Sequence, residues 1–354
     1  MATGGVLGAA LLAAAAIGLG SGCTSLGYYT QAAGGHLAVV QRARPVAEVL
    51  ADPATPELLR QRLQLSQRLR AFAVSALKLP DNNSYRRYAD LQRDAVVWNV
   101  VAAPALALTL KTWCFPVMGC VGYRGYFDRA AADAQAAALK AEGWEVSVYG
   151  VPAYSTLGFG NWVGGDPLLN TFIQWPEAEL ARLVFHELAH QVAYAADDTT
   201  FNESFAVAVE RLGARRWLAL HGTPALVAQV QAVEQRREDF AALTLRYRQQ
   251  LQALYDGSAD EATKTRQKAA LMAALRSDHL ALKTGPWAGF AGYDGWFGRA
   301  NNASLGVLAA YNELVPDFER LFQQQGSDFT RFYAAVKSLA ALPSAERRAR
   351  LAAP

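Results

Sequence analysis

The sequence predicts a mostly helical α+β protein with a small β-sheet packed beside one helix. Three observations support this fold class. Apolar residues recur at helical spacing over most of the 354 residues. Short runs typical of strands cluster between residues 95 and 158. Two long, charged, amphipathic segments predict a helical hairpin over residues 225–283, inserted into a single domain of residues 23–354.

The composition is that of a globular protein and argues against a nucleic-acid partner. Hydrophobic residues make up 52% of the chain, charged residues 18%, and the formal net charge is only +3. The 34 Lys and Arg residues are spread along predicted helices and form no basic block. With 3 Cys, neither a disulfide framework nor a cysteine-type zinc site is expected.

The N-terminal segment has the pattern of an export signal. No Asp, Glu, Lys or Arg precedes Arg42, and residues 6–19 form an apolar run too short to span a bilayer comfortably. Small residues then lead to Cys23, as in a bacterial lipoprotein signal, although Leu19 lies one position further away than in the usual lipobox. We predict that residues 1–22 are removed and that Cys23 carries a lipid. An uncleaved anchor or a plain apolar leader is the alternative.

Export would determine both the location of the protein and its redox environment. A lipid on Cys23 would tether the domain to a membrane of the bacterial envelope, facing the periplasm, and Thr24 in place of an Asp favours the outer membrane. Cys114 and Cys120 flank a short loop, and in an oxidising compartment we expect a disulfide between them. Two buried free thiols are the alternative.

Periodicity and turn residues predict the elements that precede residue 167. Asp128 is a good N-cap for an Ala-rich helix that Gly143 ends. Residues 158–167 are rich in Gly and predict a loop at the lip of a cleft. The other predicted elements are helices over residues 37–50 and 57–79 and strands over residues 95–101, 105–110, 123–127, 145–149 and 151–158.

The most informative motif is H-E-x-x-H, formed by His186, Glu187 and His190 within an apolar helical pattern. On a helix the two histidines lie one turn apart, with Cβ atoms about 6 Å apart, so both imidazoles can reach one Zn²⁺. Glu187 projects about 100° away, beside the metal, where a general base is needed. Two ordinary histidines on an amphipathic helix are the alternative, but buried histidines need partners.

A following helix, predicted from residue 201 to about residue 221, supplies candidate third ligands. Glu203 lies in its first turn, and a short loop between the two helices could return its carboxylate to the metal. Glu210 lies two turns further along the same face. It is the rival ligand, or else a hydrogen-bond partner for a ligand histidine. A solvated or dipole-stabilised acid is the alternative for either residue.

Substrate-binding residues are expected in the strand before the motif, which could bind an extended peptide by strand addition, and in the C-terminal third of the chain. The candidates are Ala153, Tyr154, Ser155, Thr156 and Tyr311. Asn301 and Asn302 could also line the cleft, although capping and core packing are the alternative for them and for Tyr311. Asp166 and Glu210 are the candidate acids for holding a substrate α-amino group.

Several short motifs together make the chain similar to the predicted aminopeptidases of bacteria, which are mostly exported lipoproteins and zinc peptidases of the gluzincin type. The resemblance runs from residue 22 to about residue 322. It rests on Gly22-Cys-Thr-Ser-Leu-Gly-Tyr-Tyr29, Gly35-His-Leu37, Cys114-Phe-Pro with Gly119-Cys120, Tyr123-Arg-Gly-Tyr-Phe127, Ala153-Tyr-Ser-Thr-Leu-Gly158, Asp166-Pro167, the H-E-x-x-H motif, Asn202-Glu203 and Asn301-Asn302. The resemblance implies a zincin-like fold, zinc on His186, His190 and Glu203, and a catalytic Glu187.

The sequence therefore predicts a zinc-dependent peptidase in which Glu187 is the general base for zinc-activated water. The resemblance favours an aminopeptidase over an endopeptidase. A function of a different class is a lipid-anchored envelope zinc protein that acts as a scaffold or chaperone-like component without turnover. That role would not need Glu187, which argues against it.

Overall fold

The computed structural model describes residues 27–115, 119–154, 156 and 164–353. Helices dominate this part of the chain and the strands form small sheets, so the predicted mostly helical α+β class is confirmed. The helices are residues 27–42 (α1), Val46–Ala51 (α2), Glu57–Ser75 (α3), Arg129–Ala141 (α4), Asn170–Ile173 (α5), Glu177–Ala189 (α6), Thr199–His221 (α7), Pro224–Asp256 (α8), Glu261–Thr284 (α9), Asp294–Arg299 (α10), Asn302–Asn312 (α11), Val315–Gln324 (α12), Phe329–Ala340 (α13) and Ser344–Ala352 (α14). The strands are Arg44–Pro45 (β1), Arg87–Ala89 (β2), Val97–Ala103 (β3), Trp113–Phe115 (β4), Gly119–Val121 (β5), Arg124–Tyr126 (β6), Glu145–Val151 (β7) and Leu168–Leu169 (β8).

The largest sheet is antiparallel in the order β6-β3-β7, with β3 in the centre. Because side chains alternate along a strand, Val100 and Ala102 of β3 pack towards α4, whereas Val101 and Ala103 pack against Ala303 of α11. A smaller mixed sheet has the order β1-β2-β8. β4 and β5 form a separate hairpin, which the disulfide Cys114–Cys120 joins.

Three predicted elements are wrong. The helix predicted over 37–50 is divided, because β1 pairs with β2 between α1 and α2. Residues 105–110 form no strand; Leu108 packs with the hairpin helices instead. The strand predicted over 151–158 ends with β7 at Val151. Pro152 follows it, and Ala153, Tyr154 and Thr156 lie outside any strand.

The hairpin helices α8 and α9 pack against each other through an apolar cluster that contains Tyr247, Leu251 and Leu275. α8 also reaches the H-E-x-x-H helix, because Glu234 pairs with Arg182 and Arg237 pairs with Glu179. None of the described helices is both long and apolar enough to cross a membrane.

Helices α6 and α7 pack closely within the main core. Gly213 of α7 makes this approach possible, because a Cβ at this position would lie 2.7 Å from Leu77 and 2.8 Å from Phe185. Phe185 is fully buried, as are Phe201 and Phe205 on α7. The two helices that carry the predicted ligands are therefore fixed relative to each other by packing.

The C-terminal helix α14 holds the start of α7 through Asp198. The carboxylate of Asp198 accepts a hydrogen bond from the Phe201 amide at 3.1 Å, which caps α7. It also accepts hydrogen bonds from Arg347 at 2.6 Å, Ser344 at 3.2 Å and Arg348 at 3.3 Å. The side chains of Asp198 and Arg347 are only 3% and 6% exposed, whereas that of Arg348 is 37% exposed.

We expect Arg347→Ala to lower the free energy of unfolding by about 3–5 kcal/mol, because it leaves the buried Asp198 carboxylate without its main partner. The matched change Arg348→Ala removes a solvent-exposed partner of the same carboxylate and should cost less than about 1 kcal/mol. Urea denaturation followed by circular dichroism measures both. Equal losses would contradict a specific role for the buried pair.

Candidate metal centre and cleft

The H-E-x-x-H helix α6 and the following helix α7 bring three predicted ligands together. His186 lies in the last turn of α6, and His190 is its C-cap residue. The short connection to α7 is held by Asn202, whose side-chain amide exchanges hydrogen bonds with the Ala195 backbone at 2.7 and 2.8 Å. Since Asn202 precedes Glu203 directly, this clamp determines where the Glu203 carboxylate points.

The three side chains converge on one point. The Nε2 atoms of His186 and His190 are 3.2 Å apart, and the Oε2 atom of Glu203 lies 3.4 Å from the first and 3.7 Å from the second. Two ligands bound at about 2.0–2.1 Å to a tetrahedral zinc ion lie about 3.3 Å apart. Two nitrogens and one carboxylate oxygen at these separations fit a single zinc ion.

Glu210 of α7 connects the cluster to one other helix, α8, through Arg182 of α6. Its Oε2 lies 3.0 Å from the Nδ1 of His186, and its Oε1 accepts hydrogen bonds from Arg182 at 2.8 and 3.1 Å. Arg182 in turn pairs with Glu234 of α8 at 3.0 Å. The bond at Nδ1 leaves the Nε2 of His186 to face the cluster. Glu210 therefore bonds to His186 from outside the group formed by His186, His190 and Glu203.

Burial and neighbouring charges shift the pKa values of the side chains in and around the cluster. Burial opposes protonation of His186, but hydrogen bonds to Glu203 and Glu210 outweigh it and hold the pKa of His186 well above its usual value. Burial also opposes ionisation of Glu210, yet His186 and Arg182 lower the pKa of Glu210 to about 2. For His190, burial lowers the pKa to about 4. A divalent cation at this point would replace the proton on His186, as metal binding to histidine requires.

Glu187 lies beside the cluster and contributes no atom to it. Burial raises the pKa of Glu187 to about 7, although the charge on His186 opposes this, and the carboxylates of Glu203 and Asp166 raise it further. A carboxyl group with a pKa near neutrality can both accept and return a proton at physiological pH.

A cleft of about 490 Å³ opens onto the cluster and is lined by His186, Glu187, His190 and Glu203. Its other walls come from α1, the β6-β3-β7 sheet, the β4–β5 hairpin, the connection between α6 and α7, and the segment after β7. They are rich in aromatic side chains, which are those of Tyr28, Phe115, Tyr123, Phe127, Tyr154 and Tyr194. A cleft of this size, lined mainly by apolar and aromatic side chains with a few polar groups, is typical of a binding site for a small molecule or a short peptide.

The predicted substrate-binding residues are only partly placed at the cleft. Ala153, Tyr154 and Thr156 line it. Ser155 and Cys23 lie outside the described residues, and the side chain of Tyr311 does too, although its backbone belongs to α11.

Four polar residues that were candidates for lining the cleft make other contacts. The buried carboxylate of Asp166 accepts hydrogen bonds from the Thr156 amide and from Gln191. The carboxylate of Glu210 is hydrogen-bonded to His186 and Arg182. Neither acid is among the described residues that line the cleft. Asn301 donates to the carbonyl of Val146, and Asn302 donates to the carbonyls of Pro104 and Ala105. Both asparagines therefore fix α11 to the sheet, which is the packing alternative.

Sequence reasoning missed several residues of the site. His36 and Tyr123 line the cleft, and the only signal for them was their place in short family-like motifs. Arg182 had a local signal, since it lies one helical turn before His186. Its two carboxylate partners are distant in sequence and could not be assigned.

Fold and site together define a mostly helical α+β protein in which two helices build a buried cluster of two histidines and one glutamate at a cleft. A family model described as "Putative aminopeptidase" matches residues 27–351, and the chain belongs to that family. Family membership supports a peptidase function. No curated protein and no solved structure matches the chain.

Proposed function

We propose that this chain is a zinc-dependent peptidase with a zincin-like fold and that it acts as an aminopeptidase. The observation that carries the proposal is the convergence of His186, His190 and Glu203 at a cleft with mainly apolar and aromatic walls. Membership of the aminopeptidase family supports the class of reaction.

The donor set supports zinc in particular. Two imidazole nitrogens and one carboxylate oxygen are the ligands of many catalytic zinc sites, and three protein ligands leave one position open. The hydrogen bond between Glu210 and the Nδ1 of His186 orients the ring, as the outer partners of zinc ligands do. Zinc held here would polarise the substrate carbonyl and lower the pKa of water towards neutrality.

Glu187 carries the proton transfers in this proposal. It takes a proton from the attacking water as the water oxygen bonds to the peptide carbonyl carbon, and it returns that proton to the amine as the C–N bond breaks. Tyr123 lines the same cleft, and burial raises its pKa well above the usual value. Its phenol therefore stays protonated and can donate a hydrogen bond to the carbonyl oxygen as negative charge develops.

The segment after β7 is the proposed binding surface for the peptide backbone. β7 is an edge strand of its sheet, and Ala153 and Tyr154 follow it along the cleft wall. The Thr156 amide is already bonded to Asp166, which fixes the segment. Backbone groups of Ala153 and Tyr154 are thus the ones proposed to pair with an extended substrate.

The protein is proposed to be a lipoprotein of the bacterial envelope, anchored through Cys23 and facing the periplasm from the outer membrane. The apolar leader and the small residues before Cys23 support this. The disulfide Cys114–Cys120 suits an oxidising compartment. Because Tyr28 of α1 lies five residues after Cys23, the cleft wall that α1 forms would lie close to the membrane surface.

A peptide-library digest tests the proposed function. We expect the zinc-loaded protein to remove single residues from peptides with a free N-terminus, and we expect chelation to stop the reaction and added zinc to restore it. N-acetylated copies of the same peptides are the control and should remain intact. Internal cleavage of the acetylated peptides would make the protein an endopeptidase. No cleavage of any peptide by zinc-loaded protein would overturn the peptidase proposal.

A further inference from the structure

The N-terminal helix α1 presents one face to the cleft. Tyr28, Ala32 and His36 are spaced one helical turn apart, so they share a face, and all three line the cleft. Ala33, the residue after Ala32, lies on the exposed side of the helix. The cleft-facing row therefore has its smallest side chain in the middle.

Specific contacts hold α1 against the sheet. The side-chain amide of Gln31 donates to the carbonyl of Gly125 at 3.3 Å and accepts from the amide of Phe127 at 3.1 Å. Gln31 thus satisfies backbone groups at the free edge of β6. At Gly35 the helix comes so close that a Cβ would lie 2.2 Å from the ring of Phe127. A wall fixed in this way can discriminate between substrates by size.

Aromatic side chains border the space on both sides of Ala32. The Nδ1 of His36 lies 2.6 Å from the hydroxyl of Tyr154, whose ring meets Phe127 edge to face with 5.6 Å between centroids. One turn before Ala32, the Tyr28 ring lies 5.5 Å from that of Phe115. The methyl group of Ala32 leaves room between these groups.

We propose that this space is a subsite for a large apolar or aromatic side chain of the substrate and that Ala32 sets the size of side chain accepted. The inference rests on the proposed peptidase function and deepens it. Apolar contact area and edge-on ring contacts favour such a side chain. The described residues of this wall carry no carboxylate that would favour a cationic side chain.

Ala32→Trp tests the proposal, with Ala33→Trp as the matched control. Filling the subsite should lower kcat/KM roughly 10- to 200-fold for peptides that contain Leu or Phe and should change little for peptides made of Ala alone. Ala33→Trp should leave both rates and the zinc content unchanged, because its side chain points to solvent. Ala32→Leu is a milder second variant with the same expected direction if the larger change impairs folding. Equal losses for all peptides, or the same loss in Ala33→Trp, would overturn the subsite.

A binding measurement separates the subsite from the peptidase activity. In a Glu187→Gln background, calorimetry should show that Ala32→Trp weakens binding of Leu and Phe peptides and spares Ala peptides. If the wild-type protein cleaves nothing but apolar peptides bind in this Ala32-dependent way, the peptidase proposal fails and the subsite stands. If the protein cleaves peptides with a preference that Ala32→Trp does not alter, the subsite fails and the peptidase proposal stands.

Discussion

Replacing Glu187 by Ala is expected to lower turnover at least roughly 10³-fold while the protein keeps its zinc. Glu187 lies on α6 between the two histidines, yet it contributes no atom to the cluster. Its pKa of about 7 suits a group that takes a proton from water and gives it to an amine. Because His186, His190 and Glu203 remain in the variant, metal binding should persist.

The measurement pairs kcat/KM on a fluorogenic peptide with zinc analysis of the same samples. Glu187→Gln is the size-matched control, since it keeps the side-chain volume and removes the basic oxygen; it should lose as much activity as Glu187→Ala. Retained turnover in either variant would remove the general-base role. Loss of zinc from both variants would mean that Glu187 is needed for the structure of the metal site and that the lost turnover does not report on proton transfer.

Two carboxylates on α7 give the second large effect, with losses of metal affinity that we expect to differ in size. Glu203→Ala removes one of three converging ligand atoms, so we expect loss of zinc and of turnover together. Glu210→Ala removes no ligand atom but takes away the hydrogen bond that orients His186 and the ion pair with Arg182, so zinc affinity should fall roughly 10- to 100-fold and saturating zinc should restore binding. Competition with a chromogenic chelator measures both affinities.

Glu210→Gln refines this comparison. The amide can still accept from the Nδ1 of His186 but no longer balances Arg182, so its zinc affinity should lie between those of wild type and Glu210→Ala. If Glu210→Ala lost zinc completely while Glu203→Ala kept it, the two carboxylates would have exchanged roles. That outcome would restore the rival assignment left open by the sequence.

Local patterns were sufficient to predict the helices that carry the site. The H-E-x-x-H spacing placed His186 and His190 on one face of α6, and the position of Glu203 near the start of the next helix suggested its return to the cluster, although α7 begins at Thr199 and not at residue 201. Helical periodicity and spacing are local properties, so they are visible in one sequence. The role of Glu210 beside a histidine followed from the same helical geometry.

Contacts between residues that are far apart in the chain could not be predicted from the sequence. Asp198 is held by Arg347 from the far end of the chain, and α1 forms a cleft wall through Gln31 and the edge of β6. Nothing in the local pattern of α14 or α1 marks these partners. The predicted strand beyond Val151 failed for a related reason, because the Thr156 amide bonds to the distant Asp166 side chain and not to a neighbouring strand.

The amino-acid composition of α1 explains why its N-terminal part was not predicted to be helical. The residues from Gly27 to His36 include several Gly and Ala, so the apolar pattern is weak there and the helix was predicted only from residue 37. In the structure the helix is present from residue 27, because Tyr28 and Ala32 pack along the cleft. Tertiary packing here outweighs the low helix propensity of glycine.

The central claim is that His186, His190 and Glu203 bind zinc, and elemental analysis of the purified protein tests it most directly. The claim predicts close to one zinc per chain in wild type, retained after gel filtration, and none in a His186→Ala, His190→Ala double variant that still folds. A wild-type protein that is folded, is offered zinc and binds none would contradict the claim.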